Sequence, residues 1–367
     1  MSKKHKKIFI SATRQNDGKT MVSLGLFKLF IEKYKEVSYL KPVGQQYKTI
    51  DNEKIDKDAL LFSNVYRLKD NLKDMSPVAV YKGYTSEFIK KPNIDDNIKK
   101  ILTAEKKLQK KSNFTLIEGT GHAGVGSTFN LSNADVAKLC KSKVIIVSIG
   151  GIGKCIDEIM LNKSVFDAKG VEIAGVIINK IQKDKYNKIT PLLKKGLDYH
   201  GIPLLGTIPY ENQLTKSLII EIIENLNAKL LSGEEGIYNK IETVVIGAML
   251  PHDALNYFTK NTLLIIPANR EGLIMTALFA SSISKSSYSI SGIIFTGGIK
   301  PHPKIIELIK HTNIPILFVK EDSYKIATKI NSMLVKVRSL EKDKIIKIQN
   351  LTQKHIDFDR INEIIND

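Results

Sequence analysis

Short uninterrupted runs of apolar residues alternate with segments of helical periodicity along most of this chain. The first run, residues 8–10, is followed by a turn and by a helical segment whose apolar positions include Leu24 and Phe27. Unbroken apolar runs are typical of parallel strands that are buried on both faces, and amphipathic helices connect such strands. The pattern therefore predicts an α/β fold, a parallel sheet with helices on both faces.

The predicted elements of the first part of the chain follow this alternation. Strands are predicted at residues 8–10, 37–40, 114–117, 144–149, 171–178 and 204–208. Helices are predicted after residue 18, at 58–68, 95–112 and 133–141, after residue 153, and at 187–199. Two segments lack either period, so we predict turns at 44–57 and irregular structure at 70–95.

A second alternation begins after residues 225–241, which we interpret as a boundary segment. Strands are predicted at 243–247, 263–266, 291–295 and 315–319, and helices at 271–285, 302–311 and 323–335. These elements predict a second, smaller α/β domain. The resulting domains are residues 1–230 and 240–338, followed by a helical C-terminal tail at 339–367.

Composition and charge narrow the functional classes. The 367 residues carry a formal net charge of +18, but the positive charge is almost entirely lysine spread through every segment, with only five arginines. A dispersed excess of lysine does not predict a nucleic-acid site. No apolar stretch approaches the roughly 18 residues that span a bilayer, and the basic N-terminus (Lys3, Lys4) precedes a short strand instead of a signal peptide. Cys140 and Cys155 show no paired spacing, which fits the reducing cytoplasm.

The turn after the first strand carries the clearest chemical motif. It ends in Gly18-Lys19-Thr20, the ending of a phosphate-binding loop in which backbone N–H groups at a helix N-terminus hold an anion. Lys19 would reach the β- and γ-phosphates, and the Thr20 hydroxyl would ligate Mg²⁺. Thr13 stands where the strict pattern has glycine. We assign the contacts with ATP, or with another nucleoside triphosphate, to Asn16, Asp17, Gly18, Lys19, Thr20 and Met21.

Two acidic residues far apart in the sequence are candidate metal ligands. Asp58 opens a predicted helix, and Glu118 ends a predicted strand. Together with Thr20 they would complete an oxygen shell for Mg²⁺, which binds few carboxylates and keeps several waters. The alternatives are that Asp58 only caps its helix and that Glu118 is a salt-bridged loop residue.

Two further polar residues follow predicted strands. Lys41 would neutralise a transferring phosphoryl group or a substrate carboxylate, and we name it with Lys19 as a candidate catalytic residue. Asn179 would read a nucleobase edge through its amide. The alternatives are an exposed lysine and a turn-capping asparagine. Because ligands bind at the carboxyl ends of parallel strands, these residues and the phosphate loop are predicted to form one site.

Residues 8–210 resemble the dethiobiotin synthetase family and its amidoligase relatives, which implies a P-loop NTPase-type parallel sheet with helices on both faces. The matching motifs are the loop ending in GKT, KPV at 41–43, DALLF from Asp58, EGTG from Glu118, and the strand that ends in Asn179. The resemblance implies Mg²⁺–nucleotide binding by Lys19, Thr20, Asp58 and Glu118, with Lys41 near the γ-phosphate and Asn179 at the base. In that family, ATP phosphorylates a carboxylate or carbamate, and an amine then attacks the mixed anhydride.

The second domain resembles the DRTGG family. The matches are Asn269-Arg270, the sequence Thr296-Gly297-Gly298, and IPILFVKEDSY at 314–324. A synthetase-like ATPase domain followed by DRTGG resembles the N-terminal half of long bacterial phosphate acetyltransferases, without the acetyltransferase catalytic domain. Arg270 and the N–H groups of the TGG turn form a candidate second anion or nucleotide site. The alternatives are an interface salt bridge for Arg270 and a simple tight turn for the glycines.

Three functions remain open at this stage. The first is a cytoplasmic MgATP-sensing regulator that forms homo-oligomers through the DRTGG domain or binds a protein partner in acetate and acetyl-phosphate metabolism. The second is an ATP-dependent carboxylate–amine ligase with an unknown substrate. The third is a non-catalytic scaffold with a degenerate nucleotide site, so the sequence does not decide whether the protein is an enzyme.

Overall fold

A computed structural model describes residues 5–282, 288–333 and 337–367 of the chain. Lys3, Lys4 and the C-terminal ends of the helices predicted at 271–285 and 323–335 lie outside these residues. The chain divides into two compact units. Unit 1 runs to Glu211 and resumes at Val337, and unit 2 begins at Asn212.

Unit 1 alternates strands and helices through its first 211 residues. Its strands in this part are β1 (Lys6–Ala12), β2 (Val37–Leu40), β3 (Val43–Gly44), β4 (Tyr47–Ile50), β5 (Glu53–Asp56), β6 (Val78–Ala79), β7 (Phe114–Glu118), β8 (Val144–Ile149), β9 (Ile173–Ile181) and β10 (Leu204–Pro209). Its helices there are α1 (Lys19–Tyr34), α2 (Lys57–Tyr66), α3 (Leu72–Met75), α4 (Tyr84–Lys90), α5 (Ile94–Gln109), α6 (Asn133–Leu139), α7 (Gly153–Ala168) and α8 (Tyr186–Tyr199).

The main sheet of unit 1 has six parallel strands in the order β10-β9-β8-β1-β7-β2. β1 lies inside the sheet, where Phe9 pairs with Ile117 on one side and with Val144 on the other. Both faces of this strand are covered, which explains its unbroken apolar sequence. All six strands end at one edge, so the loops after β1, β2, β7, β8 and β9 meet there. The predicted α/β fold class is confirmed.

Two segments contain more regular structure than the sequence pattern predicts. Residues 44–57, expected as turns, contain an antiparallel hairpin of β4 and β5 in which Tyr47 pairs with Asp56. Asp51 and Asn52 both take positive φ angles, 46° and 64°, as a two-residue hairpin turn requires. Residues 70–95, expected to be irregular, contain α3, which is capped by the Asn71 side chain, and α4.

Unit 2 contains a second, mixed sheet. Its elements are α9 (Ile219–Leu226), β11 (Lys229–Ser232), β12 (Thr243–Ile246), α10 (Pro251–Ala254), β13 (Thr262–Pro267), α11 (Glu271–Ser282), β14 (Ile290–Thr296), α12 (Pro303–Lys310), β15 (Ile316–Phe318) and α13 (Ser323–Asn331). The strand order is β11-β15-β14-β13-β12, and only β11 runs antiparallel to its neighbour among these strands. One apolar cluster covers each face of the sheet.

The division between the units differs from the expected one at residues 230–240. Ile219 and Ile222 of α9 pack against Leu263 and Leu317 in one core cluster of unit 2, and β11 pairs with β15. The segment that we interpreted as a boundary therefore supplies a helix and an edge strand to unit 2, because its apolar residues are buried there.

The C-terminal residues, expected as a separate tail, belong to unit 1. They form α14 (Lys342–His355) and α15 (Phe358–Asn366). α14 packs on α1, where a Cβ atom at Gly25 would lie 1.9 Å from Thr352 Oγ1. The Phe358 ring packs edge-on against Phe30, also of α1. The apolar faces of these helices are thus buried against the helix that follows the phosphate loop. In the part of the chain that the structure describes, no helix is long and apolar enough to cross a membrane.

Candidate functional site

The loop between β1 and α1 is closed by its own acidic side chain. The Asp17 carboxylate accepts hydrogen bonds from Thr13 Oγ1 at 2.6 Å and from the Arg14 backbone N–H at 2.8 Å. Burial raises the pKa of Asp17, and these two hydrogen bonds oppose that shift. Thr13 Oγ1 is also 3.0 Å from Ser148 Oγ on β8. The threonine that replaces the expected glycine therefore fastens the loop to the sheet.

The other side of the loop is held by the residues that end β9. Asn179 Nδ2 donates to the Asp17 carbonyl at 2.9 Å, and Lys180 Nζ donates to the Asn16 carbonyl at 2.7 Å. Asn179 Oδ1 accepts the Lys180 backbone N–H. The Asn179 amide thus supports the phosphate loop, and recognition of a base by this residue stays a prediction. Sequence reasoning missed Lys180, which adjoins Asn179 and has a φ of 57°.

Gly18 connects the loop to α1 through a conformation that favours glycine. Its φ is 95°, and a Cβ atom there would lie 2.1 Å from Asn179 Nδ2. Lys19 and Thr20 then begin the helix, and Met21 follows half-buried in the first turn. The backbone N–H groups of this turn have no partner within the helix, which suits an anion.

Lys19 makes no hydrogen bond or ion pair with another residue in the described part of the chain. Burial, and then the charge of Lys41, lower the pKa of the Lys19 ammonium. A partly buried cation next to a second cation is stabilised by any anion that binds between them and the helix N-terminus.

Lys41, Asp58, Glu118 and Thr20 meet at the strand ends as the sequence predicts. Lys41 Nζ lies 2.7 Å from Asp58 Oδ2, 3.0 Å from Glu118 Oε1 and 3.2 Å from the Gly119 carbonyl oxygen. Thr20 Oγ1 donates to the same Glu118 Oε1 at 2.9 Å. One ammonium, one hydroxyl and two carboxylates therefore converge on one point.

Burial decides between the roles that the sequence left open for these residues. The Lys41 side chain is 4% exposed and that of Glu118 is 0% exposed, so neither is a surface residue. Burial alone would lower the pKa of Lys41, but the carboxylates of Asp58, Glu118 and Asp56 outweigh it and raise that pKa. The ammonium is therefore firmly charged.

The helix cap of α2 is Asp56 and not Asp58. Asp56 Oδ1 accepts the Asp58 backbone N–H at 2.8 Å, and Asp56 Oδ2 accepts the Gln46 N–H at 3.3 Å. Burial, and then the charge of Asp58, raise the pKa of Asp56 to about 6. Because Asp56 fills the capping role, the Asp58 side chain is directed to Lys41.

Two buried asparagines hold the loop that follows Glu118, and the sequence pattern did not reveal them. Asn133 accepts the Thr120 N–H at 2.9 Å and donates to the carbonyl oxygens of Thr120 and His122. Asn162 accepts the Ala123 N–H at 2.8 Å and donates to the Thr13 carbonyl at 3.2 Å. These contacts connect α6 and α7 to both loops of the site, although no local sequence signature marks such long-range pairs.

A cavity of about 340 Å³ opens beside the phosphate loop at the ends of β8, β9 and β10. Its wall combines apolar, glycine and polar residues, namely Ile149, Gly150, Gly151, Lys180, Ile181, Gln182, Lys185, Ile189 and Tyr210. Small-molecule sites commonly combine apolar walls with a few polar groups.

The oxygen atoms of Thr20, Asp58 and Glu118 around Lys41 are suitable ligands for Mg²⁺. It offers a hydroxyl and two carboxylates, the hard oxygen ligands that this ion takes in small number. Glu118 Oε2 is buried and has no hydrogen-bond partner among the described residues, so a further ligand atom is at hand. No group of three or more His, Cys, Asp or Glu residues suited to a metal occurs in the described ranges.

The predicted second site in unit 2 is differently arranged. The N–H groups of Gly297 and Gly298 donate to the carbonyl oxygens of Glu321 and Val319, so the expectation that they face an anion is not met. Arg270 Nη2 donates to the Met249 carbonyl at 2.7 Å. Thr296 Oγ1 lies 2.7 Å from Ser323 Oγ. These contacts fasten the strand ends of unit 2 to one another, and ligand binding by this set stays a prediction.

Two family matches cover almost the whole chain. The AAA domain family AAA_26 matches residues 6–217, and the DRTGG domain matches residues 221–333. The predicted order of a P-loop domain and a DRTGG domain is thereby confirmed. The narrower likeness to dethiobiotin synthetase stays a prediction.

Curated relatives share both domains at low identity. Phosphate acetyltransferase of Nitratidesulfovibrio vulgaris is 26% identical over 359 residues, which cover 95% of this chain and 50% of that protein. Phosphate acetyltransferase of a Synechocystis strain is 26% identical over 362 residues, covering 96% and 51%. The chain spans about half the length of these relatives, and the predicted likeness to their N-terminal region is confirmed.

Solved structures match part of the chain at low sequence identity. The MinD cell division protein of Aquifex aeolicus is 14% identical with a TM-score of 0.36, covering 57% of this chain and 84% of that one. A plasmid partition protein of Borrelia burgdorferi is 15% identical with a TM-score of 0.38, covering 57% and 92%.

Proposed function

The chain belongs to the AAA_26 family of AAA domains, and on this premise we propose that unit 1 binds a Mg²⁺–nucleoside triphosphate, with ATP as the first candidate. The single observation that carries the proposal is the convergence of Thr20, Asp58 and Glu118 around Lys41, next to the unpaired ammonium of Lys19. These groups provide both the metal ligands and the cations that a triphosphate needs.

The proposed nucleotide lies along the edge of the sheet. The phosphates contact the backbone N–H groups at the start of α1, with Lys19 and Lys41 as the cationic side chains. Mg²⁺, when bound, would be held by Thr20, Asp58 and Glu118 and would neutralise phosphate charge. The base occupies the cavity beside Asn179, where the ring of Tyr210 and the side chain of Ile189 supply apolar surface.

We propose that this binding serves regulation. About half of each phosphate acetyltransferase corresponds to the domain pair found here, so the pair recurs as a unit next to a further region in those proteins. On this proposal the protein signals the nucleotide state to itself or to a partner of acetyl-phosphate metabolism. Activity as a carboxylate–amine ligase is the competing function.

One comparison separates these functions. Purified full-length protein is titrated with MgATP, and ADP release is then measured with and without candidate amines and bicarbonate. Binding with little ADP release, unchanged by amines, supports the regulator. ADP release that rises with an amine would favour the ligase, and an absence of MgATP binding would favour the scaffold and overturn the proposal.

We further propose that unit 2 mediates self-association. β12 is an edge strand of its sheet, and Val244 and Ile246 on it are 42% and 41% exposed. Residues 243–250 contain no charged side chain, so the edge lacks the charges that usually prevent strand pairing between chains. The substitution Ile246→Lys should lower the sedimentation coefficient of the full chain to that of a monomer. Ile89→Lys, at an exposed residue of unit 1, is the control, and equal sedimentation of all three proteins would contradict the proposal.

A further inference from the structure

We propose that the Lys41 ammonium occupies the place of the divalent cation and excludes free metal until a triphosphate gives the ammonium another partner. This inference rests on the proposed Mg²⁺–triphosphate site of unit 1 and names how that site is regulated. It makes Lys41 a residue that couples metal binding to nucleotide binding, in addition to any contact that it makes with phosphate.

The distances define the competition. Lys41 Nζ is 2.7 Å from Asp58 Oδ2 and 3.0 Å from Glu118 Oε1, and the latter oxygen also accepts the Thr20 hydroxyl. Mg²⁺ binds oxygen at about 2.0–2.1 Å. An ion that binds the two oxygens held by Lys41, Asp58 Oδ2 and Glu118 Oε1, must therefore enter the space in which the ammonium lies. Two cations cannot share that space, because their repulsion at such a distance is large in a buried site.

The charges at the site show why free metal is excluded only while no triphosphate is bound. Asp58, Glu118 and Lys41 sum to −1 in the present arrangement. With Mg²⁺ in place of the ammonium the same two carboxylates and the ion sum to zero, but the buried Lys41 charge has then lost both carboxylate partners. Lys41 would keep the Gly119 carbonyl and the nearby charge of Asp56, but the loss of two direct ion pairs by a buried cation is costly. Free metal must meet that cost, and its affinity is reduced accordingly.

A triphosphate would remove the cost of separating the Lys41 ammonium from its two carboxylates. Its oxygens at the start of α1 would lie next to Thr20, whose hydroxyl shares Glu118 Oε1 with Lys41. The ammonium can then move from the carboxylates to the phosphates over a short distance, and the metal can enter. The site consequently responds to the metal–nucleotide complex and is insensitive to the concentration of free metal.

The experiment uses Mn²⁺ as the probe, without nucleotide. Free Mn²⁺ is measured by electron paramagnetic resonance in titrations of the full-length protein, its Lys41→Met variant and its Lys41→Arg variant. Lys41→Met, which keeps the length and removes the charge, should bind one Mn²⁺ about tenfold or more tightly than the parent. Lys41→Arg, which keeps a cation, should not. Equal affinity of the parent and Lys41→Met would overturn the inference.

A second substitution locates the bound ion. The double variant Lys41→Met with Glu118→Gln should lose the gain in Mn²⁺ affinity, since a carboxylate ligand is removed. A gain that survives in the double variant would place the Mn²⁺ elsewhere and would also overturn the inference.

Folding of the variant gives an independent readout. Lys41→Met removes the ammonium that contacts both carboxylates. If this variant does not fold alone, Mn²⁺ or Mg²⁺ should restore its circular dichroism at 222 nm, whereas NaCl at equal ionic strength should not. A variant that stays unfolded with either metal contradicts the inference.

Titration of the parent with MgATP tests the proposed function separately, because the Mn²⁺ comparison contains no nucleotide. Parent binding of MgATP without any gain in Lys41→Met refutes the exclusion alone, whereas a gain without MgATP binding refutes the nucleotide site alone.

Discussion

The stability of unit 1 should depend strongly on the charges around Lys41. Its ammonium contacts carboxylate oxygens of Asp58 and Glu118 at 2.7 and 3.0 Å. Coulomb's law at an effective dielectric constant of about 20 gives an attraction of about 5–6 kcal/mol for each contact before desolvation is subtracted. Removal of one partner from a buried ion pair costs about 3–5 kcal/mol in practice. We expect Lys41→Met to lower the free energy of unfolding by that amount.

Glu118→Gln should cost less, about 1–3 kcal/mol. Glutamine keeps an acceptor for the Thr20 hydroxyl, and it removes the repulsion between Glu118 and Asp58. In the double variant only one charged carboxylate, that of Asp58, has lost the Lys41 ammonium. The double variant should therefore have a higher free energy of unfolding than the sum of the two single losses predicts. We expect a coupling energy of about 1–3 kcal/mol between the two sites.

The assay is urea denaturation of the full chain, followed by far-UV circular dichroism, for the parent, both single variants and the double variant. Lys163 and Asp167 supply a matched control, because they form an ion pair of 2.5 Å on the exposed surface of α7. The same cycle there, with Lys163→Met and Asp167→Asn, should give a coupling of at most about 0.5 kcal/mol. A coupling at Lys41 no larger than that of the surface pair would refute the reasoning.

The remaining predictions concern the phosphate loop and the two thiols. Gly18→Ala should lower the melting temperature, measured by calorimetry, more than Gly170→Ala. Both glycines have positive φ, but only at Gly18 would a Cβ atom meet the Asn179 amide. Equal losses of melting temperature in the two variants would contradict this close approach. Cys140 and Cys155 are buried, and burial raises the pKa of both thiols, to about 11 for Cys155. Neither should react quickly with a thiol reagent at pH 8 in the native protein, whereas both should react in urea; fast reaction of the native protein would show that a thiol is exposed.

The sequence predicts the main sheet well because its strands are buried on both faces. The strands predicted at 37–40 and 144–149 have the same bounds in the structure. The pattern of apolar residues does not predict elements that contain few apolar residues. The hairpin of β4 and β5 is half exposed and polar, and its only local signal is the Asp51-Asn52 turn.

The candidate site is partly predictable for a geometric reason. The rule that parallel strands end at one edge places Thr20, Lys41 and Glu118 together, and the structure brings them there. The rule says nothing of which atoms meet. The position of the Lys41 ammonium between two carboxylates follows from tertiary contacts that the sequence does not encode locally, and the same holds for the supports from Asn133 and Asn162.

The central claim is that a triphosphate binds at the start of α1, and calorimetric titration with MgATP tests it most directly. The parent protein, Lys19→Ala and Lys28→Ala are compared, Lys28 being a solvent-facing lysine of the same helix paired with Glu32. We expect Lys19→Ala to weaken binding by about 2–4 kcal/mol through loss of a charge-assisted contact, and Lys28→Ala to leave it unchanged. Equal affinity of the parent and Lys19→Ala, or the absence of binding by the parent, would contradict the claim.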